Sequence, residues 1–209
     1  MSLQKIIHIN ENTTAYFWHI TEDVTSLFRA VSLRDTSLFR LEGMKSEEHQ
    51  KGFLTVRMLL QHLGYTDYDL TYDEAGKPHL SDGKHISISH SHEFSCICIS
   101  NKLMGIDLEK LKEKTLKIAP RFMEVKHLEN LSTLEQIEKA TVIWGVKESI
   151  FKIKNEKGIS FPEHIFEAEF DLKEGKCEAE LHFNNQIENF QIQFYNVEAY
   201  IFVCAFPKK

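Results

Sequence analysis

Residues Ser132-Thr-Leu-Glu135 have the form of a capping box, in which the serine hydroxyl and the glutamate carboxylate each satisfy a free amide at a helix start. A long helix is expected to begin there. Leu134, Ile137, Ala140, Thr141, Trp144, Phe151 and Ile153 extend it as a mostly apolar stripe to about Asn155. Such a stripe has to be covered. The runs 165–170, 179–183, 190–195 and 199–205 that follow alternate apolar and polar residues as strands do. The second half of the chain thus reads as helix plus sheet.

The first half has similar content. Residues 15–20 alternate as a strand, and residues 21–31, with Val24, Leu27 and Phe28, suit a short amphipathic helix. Residues 46–63 set Phe53, Leu54, Val56, Leu59, Leu60 and Leu63 at helical spacing, with Gly64 behind them as a left-handed stop. Short strands are expected at 69–72, 79–80, 86–89 and 94–100, separated by the EAGKP and SDGK turns and forming a small antiparallel sheet. Residues 103–108 read as a further strand, and 110–126 as a basic, irregular segment with a short helix. A second lobe therefore starts near Leu103, giving lobes of 1–102 and 103–209. No repeat of residues relates the halves, so any symmetry between them is one of structure alone.

At 209 residues, with 42% hydrophobic and 27% charged, the chain can bury an ordinary core without staples, and neither disorder nor a fibrous repeat is suggested. The 25 Lys plus Arg against 31 Asp plus Glu give a net charge of −6, which disfavours nucleic acid as partner. A few fixed cations in a pocket still suffice for a small anion, because the field close to them outweighs the distant total. Cys96, Cys98, Cys177 and Cys204 show no metal-ligand spacing and read as buried thiols. There is no apolar signal core and no run approaching the roughly 20 apolar residues of a membrane span, so the expectation is a cytosolic protein without membrane attachment.

Asp107 and Glu109 lie two apart on an expected strand, so both point to one face with alpha carbons roughly 6 to 7 Å apart. One hard cation such as Mg²⁺ accepts carboxylates in that arrangement and keeps other positions for water and phosphate oxygens. On the later helix, Trp144, Lys147, Glu148, Phe151 and Lys152 fall on one face, mixing aromatics with charge. Charges that interrupt an apolar stripe must reach solvent, pair internally or meet a polar ligand, because burying one unpaired costs several kcal/mol. The plainer alternatives are a solvated strand face for Asp107 and Glu109, and a surface ion pair between Glu148 and Lys152 worth about 0.3 to 0.5 kcal/mol.

Taken in order, GIDLE at 105–109, Arg121-Phe122, and WGVKESIFK at 144–152 resemble the signature of the Sfp-type 4′-phosphopantetheinyl transferases. Gly76-Lys77-Pro78-His79 and Ile88-Ser89-His90-Ser91 are similar to two upstream elements of that family, so the resemblance covers roughly residues 46 to 155. It implies an α+β fold of two similar α/β lobes with pseudo-two-fold symmetry, antiparallel sheets packed with helices and an active site between the lobes. It also implies Mg²⁺-dependent (or Mn²⁺-dependent) transfer of phosphopantetheine from coenzyme A to a serine of an apo acyl or peptidyl carrier protein, by a monomer. By position, Asp107, Glu109 and Glu148 would bind the metal, and Lys152 would neutralise the phosphates. Glu148 would also serve as base, and Arg57, Lys77, Ser89 and His90 would surround the nucleotide end of coenzyme A. Lys147 and Trp144 match the motif without a stated role.

Where relatives often carry a basic cluster ahead of the first-lobe helix, this chain has Glu48-His49-Gln50. His85, His90 and His92 also raise a zinc site as an alternative, with no cysteine or carboxylate placed to complete it. Lys112, Lys114, Lys117, Arg121 and Lys126 are candidates to meet an acidic carrier. The rival functions are another metal-dependent phosphoesterase, and a catalytically inactive module that binds coenzyme A or a carrier protein.

Overall fold

Two long helices organise the chain. The computed structural model, which describes residues 3–208, divides it into two compact units, one ending at Lys102 and one beginning at Leu103.

In the first unit β1 (Leu3–Asn10) and β2 (Thr13–His19) form a hairpin, followed by α1 (Val24–Ala30), α2 (Asp35–Glu42) and α3 (Glu47–His62). The strands β3 (Leu70–Tyr72), β4 (Pro78–Leu80), β5 (His85–Ser91) and β6 (Phe94–Ser100) complete it. The main sheet has the order β1-β2-β6-β5 and is antiparallel throughout, with β3 and β4 as a separate ribbon. Ser46 caps α3 by accepting a hydrogen bond from the His49 amide, and the chain leaves the helix through Gly64 at φ +83°. Leu54, Leu59 and Leu60 on α3 are fully buried with Leu27 and Ile97, each worth about 1.5 to 3 kcal/mol of transfer free energy.

The sequence pattern does not announce β1 or α2. Within β1 only Ile9 is buried, so LQKIIHIN lacks the alternation that marks a half-buried strand. In α2 only Ser37 and Leu41 are buried and Phe39 stands 80% exposed, so no apolar face can be read from its residues.

The second unit begins with β7 (Gly105–Lys110) and continues through α4 (Lys114–Ile118) and two 3₁₀ turns, Ala119–Arg121 and Val125–Leu128. Then come α5 (Thr133–Lys154), α6 (Phe161–His164), β8 (Ile165–Glu167), β9 (Lys176–Phe183), β10 (Gln186–Val197) and β11 (Tyr200–Pro207). Its antiparallel sheet has the order β7-β11-β10-β9-β8. Both halves of the capping box are made: Ser132 accepts from the Glu135 amide, and Glu135 accepts from the Ser132 amide at 2.9 Å. Asn155 ends α5 in the left-handed conformation, φ 50° and ψ 35°.

The expected stripe on α5 understates its burial. Val142, Ile143, Val146 and Ile150 lie off that stripe and are 0% exposed, whereas Leu134 at the helix start is 67% exposed. The helix is covered by the sheet on one side and by α4 and the second 3₁₀ turn on another, so a one-sided stripe is the wrong pattern for it.

In each unit the last strand pairs with the strand that precedes the helices, β6 with β2 and β11 with β7. All four cysteines are buried and free, and burial pushes the Cys177 thiol up to about 12. Among the described residues no helix is long and apolar enough to cross a membrane.

Candidate metal and phosphate site

The geometry of the site starts from two glycines. A β-carbon on Gly105 would stand 2.0 Å from the Ser149 carbonyl oxygen, and one on Gly145 would stand 2.5 Å from Val203 Cγ2. Helix α5 therefore meets β7 backbone to backbone at Gly105, and at Gly145 its backbone rests on the Val203 side chain of β11. That approach sets the carboxyl half of α5 over the face of β7 that carries Gly105, Asp107 and Glu109, because alternate residues of a strand share a face.

Asp107 is 3% exposed. The Lys152 ammonium donates to Asp107 Oδ1 at 2.8 Å and to the Ile106 carbonyl oxygen at 3.0 Å. Lys152 thus reaches across to the strand, which is not the surface ion pair with Glu148 that the spacing alone allows. Glu148, one turn back on the same helix face, is half-buried. Burial pushes its carboxyl above the usual glutamate range, the negative charge of Asp107 pushes it further, and Lys152 works against both. Two carboxylates that feel each other's charge in a poorly solvated place form a donor set suited to a hard divalent cation.

Glu109 is half-buried on the same strand face. Among the described residues, however, no three His, Cys, Asp or Glu side chains already stand together as a metal cluster. The structure thus brings Asp107, Glu148 and Lys152 into one neighbourhood and leaves the three carboxylates short of a common centre.

Lys147 takes the internal alternative. It is 2% exposed, bonds Glu167 at 2.9 Å and donates to the Ile165 and Phe161 carbonyl oxygens. Burial pulls its pKa down, opposed by the Glu167 charge. Its partner lies 20 positions later on a short strand, and nothing in the sequence signals the pair. Trp144 makes edge-to-face contacts with Phe122 at 5.1 Å and Phe161 at 5.5 Å, so the aromatics of this face hold flanking segments onto α5.

The residues matched to the nucleotide end of coenzyme A lie in the first unit. Arg57 is 2% exposed, bonds Asp67 at 3.0 Å and the Phe53 carbonyl oxygen, and stacks over the Phe53 ring. A guanidinium enclosed in this way is part of the core, so the phosphate contact given to it by motif position has no support in its surroundings. Lys77 is half-buried in its turn, its amide donating to Asp73 Oδ1. Ser89 is buried and His90 exposed on β5, and as strand neighbours they point to opposite faces. The His90 ring packs against Gly52. His92 faces Glu48 at 3.3 Å, and no zinc cluster forms among the described residues. Lys112, Lys114, Lys117, Arg121 and Lys126 are all exposed, with Lys126 paired to Glu124.

Comparison with known proteins bears on this same unit. Residues 103–204 match the model of the 4′-phosphopantetheinyl transferase superfamily. The 4′-phosphopantetheinyl transferase gsp of Aneurinibacillus migulanus is 33% identical over 121 residues, 55% of this chain and 51% of that protein. The transferase Sfp of Bacillus subtilis strain 168 is 30% identical over 128 residues, 56% of this chain and 57% of that protein. The transferase ffp of Bacillus subtilis is 29% identical over 147 residues, 66% and 65% of the two chains. The chain spans about half the length of the first two of these relatives. Through the unit that carries Asp107, Glu109, Glu148 and Lys152, it is similar to the 4′-phosphopantetheinyl transferases.

Proposed function

We propose that this protein transfers 4′-phosphopantetheine from coenzyme A to a serine hydroxyl of an apo acyl or peptidyl carrier protein. The observation that carries the reading is the contact of α5 with β7, which puts Glu148 and Lys152 beside the buried Asp107. Asp107, Glu109 and Glu148 would hold Mg²⁺ or Mn²⁺, which when bound draws charge from the pyrophosphate oxygens. Gathering them into one coordination sphere requires these side chains to come closer together than they stand among the described residues.

In the reaction the serine oxygen forms a bond to the phosphorus next to pantetheine, and the bond from that phosphorus to the bridging oxygen breaks. Adenosine 3′,5′-bisphosphate departs with the bridging oxygen. The serine proton passes to Glu148 or to a water it orients, since a carboxylate raised above its ordinary pKa is a better base. Lys152 neutralises the phosphate oxygens, and in-line placement with charge neutralisation supplies most of the acceleration. Lys77, Ser89 and His90 are proposed around the nucleotide end, and the exposed lysines from Lys112 to Lys126 as the face that meets an acidic carrier.

The test is intact-mass analysis of apo carrier proteins incubated with coenzyme A and Mg²⁺. A phosphopantetheine mass gain with the wild type, lost in folded Asp107→Ala and Glu148→Gln proteins, supports the reading. Hydrolysis of coenzyme A without carrier modification points to a phosphoesterase, and binding without chemistry to an inactive module.

A further inference from the structure

Lys152 is a motif residue whose observed hydrogen-bond partner is also a proposed metal ligand. Its ammonium rests on two oxygens of β7, Asp107 Oδ1 at 2.8 Å and the Ile106 carbonyl at 3.0 Å. The Asp107 side chain is 4% exposed and that of Lys152 29%, so the lysine is the more solvent-accessible member of the pair. A divalent ion bound to the same carboxylate would sit about 2.0 to 2.1 Å from its oxygen. An ammonium and a divalent ion crowded on one buried carboxylate repel each other strongly, because little water screens them there.

We infer that Lys152 and the divalent cation exclude one another at Asp107, so that metal loading displaces Lys152 and releases its charge to the diphosphate ester. Resting on the metal reading above, this gives Lys152 two positions: counter-ion of Asp107, and phosphate ligand one helical turn from Glu148. It also couples the two loading steps. A metal that frees Lys152 favours the anionic cosubstrate, and by linkage the cosubstrate favours the metal.

The test is Mn²⁺ binding to the protein alone, followed by the electron paramagnetic resonance of free Mn²⁺. Lys152→Met removes the competing charge and should tighten Mn²⁺ by about tenfold or more, 1.4 kcal/mol per factor of ten. Lys152→Arg should stay near the wild type, and Asp107→Asn should weaken binding. Mn²⁺ held equally or less tightly by a folded Lys152→Met protein, with normal binding by the wild type, overturns the inference and leaves the metal reading standing. No binding by the wild type or Lys152→Met overturns both. A measurement free of that variant is the Lys152 side-chain ¹³Cε resonance in the wild type, assigned by its loss in Lys152→Arg. It should move with Mg²⁺ along the same saturation curve, and a resonance that stays still while metal binds also overturns the inference.

Discussion

Arg57 on α3 and Lys147 on α5 are each 2% exposed, and each is held by a carboxylate from the segment that follows its helix. Asp67 does this at 3.0 Å in the first unit, and Glu167 at 2.9 Å in the second. Beyond that shared device the helices differ. The residue after Arg57 is the buried Met58, and Gln61 ties α3 to the α1 end through the Ala30 carbonyl and the Ser32 amide. The residue after Lys147 is Glu148, and five positions on is Lys152, which grips the strand carboxylate Asp107. A buried, fully paired cation therefore belongs to the scaffold in both units. The chemistry has to be sought in the charged groups that the second scaffold leaves half-buried.

The sharpest way to break this comparison is to treat the two buried cations alike. Arg57→Met and Lys147→Met should each lower stability by about 3 kcal/mol, because each takes the nearest cation from a buried carboxylate and leaves only Arg34 at 3.9 Å from Asp67 or His127 at 4.0 Å from Glu167. Removing both partners, as in Lys147→Met with Glu167→Leu, should recover much of the loss, since an apolar pair of similar volume carries no desolvation penalty. Urea unfolding of the singles and the double measures this. Should Lys147→Met keep its unfolding midpoint while transfer disappears, Lys147 belongs with the reacting groups and the likeness to Arg57 is false.

That confusion is also where the sequence stopped being legible. The capping box, the stop at Gly64, the end of the second long helix near Asn155 and the strand at 94–100 are local features, and each appears in the fold at the position its residues indicate. The pairing of Lys147 with Glu167 is not local, and a lysine within a charged motif looks the same whether it meets a phosphate or a buried acid. Arg57 misled in the same way, its partner Asp67 lying beyond the end of the helix. Gly105 and Gly145 sit inside the two motifs, yet their use in letting helix and strand touch shows only when the elements are placed. The Asp107 and Glu109 pair was readable from strand alternation, whereas the ion pair from Lys152 to Asp107 was not.

A smaller effect sharpens the same contrast through the glycines at which a helix meets its sheet. In the second unit Gly105→Ala drives a β-carbon to 2.0 Å from the backbone oxygen of Ser149, which can yield only by moving α5 away from β7. A loss of about 3 kcal/mol is expected, at the upper end of overpacking costs, together with reduced transfer because Glu148 and Lys152 move with the helix. In the first unit Gly52→Ala meets the His90 ring at 2.9 Å, a side chain that can shift without moving a helix away from its strand. Relief of the glycine penalty inside a helix, about 0.5 to 1 kcal/mol, offsets that contact and leaves the change near neutral. Thermal melts distinguish the two, and equal losses would show that α5 does not approach its strand more closely than α3 approaches β5.

The smallest difference lies at the helix starts. Ser46 and Ser132 both accept from the amide three residues on, but that residue is His49 in α3 and Glu135 in α5. Only Glu135 returns a carboxylate to its cap, and the Ser132 hydroxyl and amide hold its pKa below the ordinary glutamate value. Ser132→Ala should cost about 1 kcal/mol at neutral pH, and Ser46→Ala about half of that. The sign of the pH effect follows from the lowered pKa. The contribution of Glu135 is complete above the unfolded value and is lost as pH falls through the folded one. The gap between wild type and Ser132→Ala should therefore close on acidification, while the Ser46→Ala gap, with no carboxylate at the third position, stays level. Because Ser132→Ala removes the hydroxyl and leaves the amide, the Glu135 titration followed by carbon NMR should move up only part of the way.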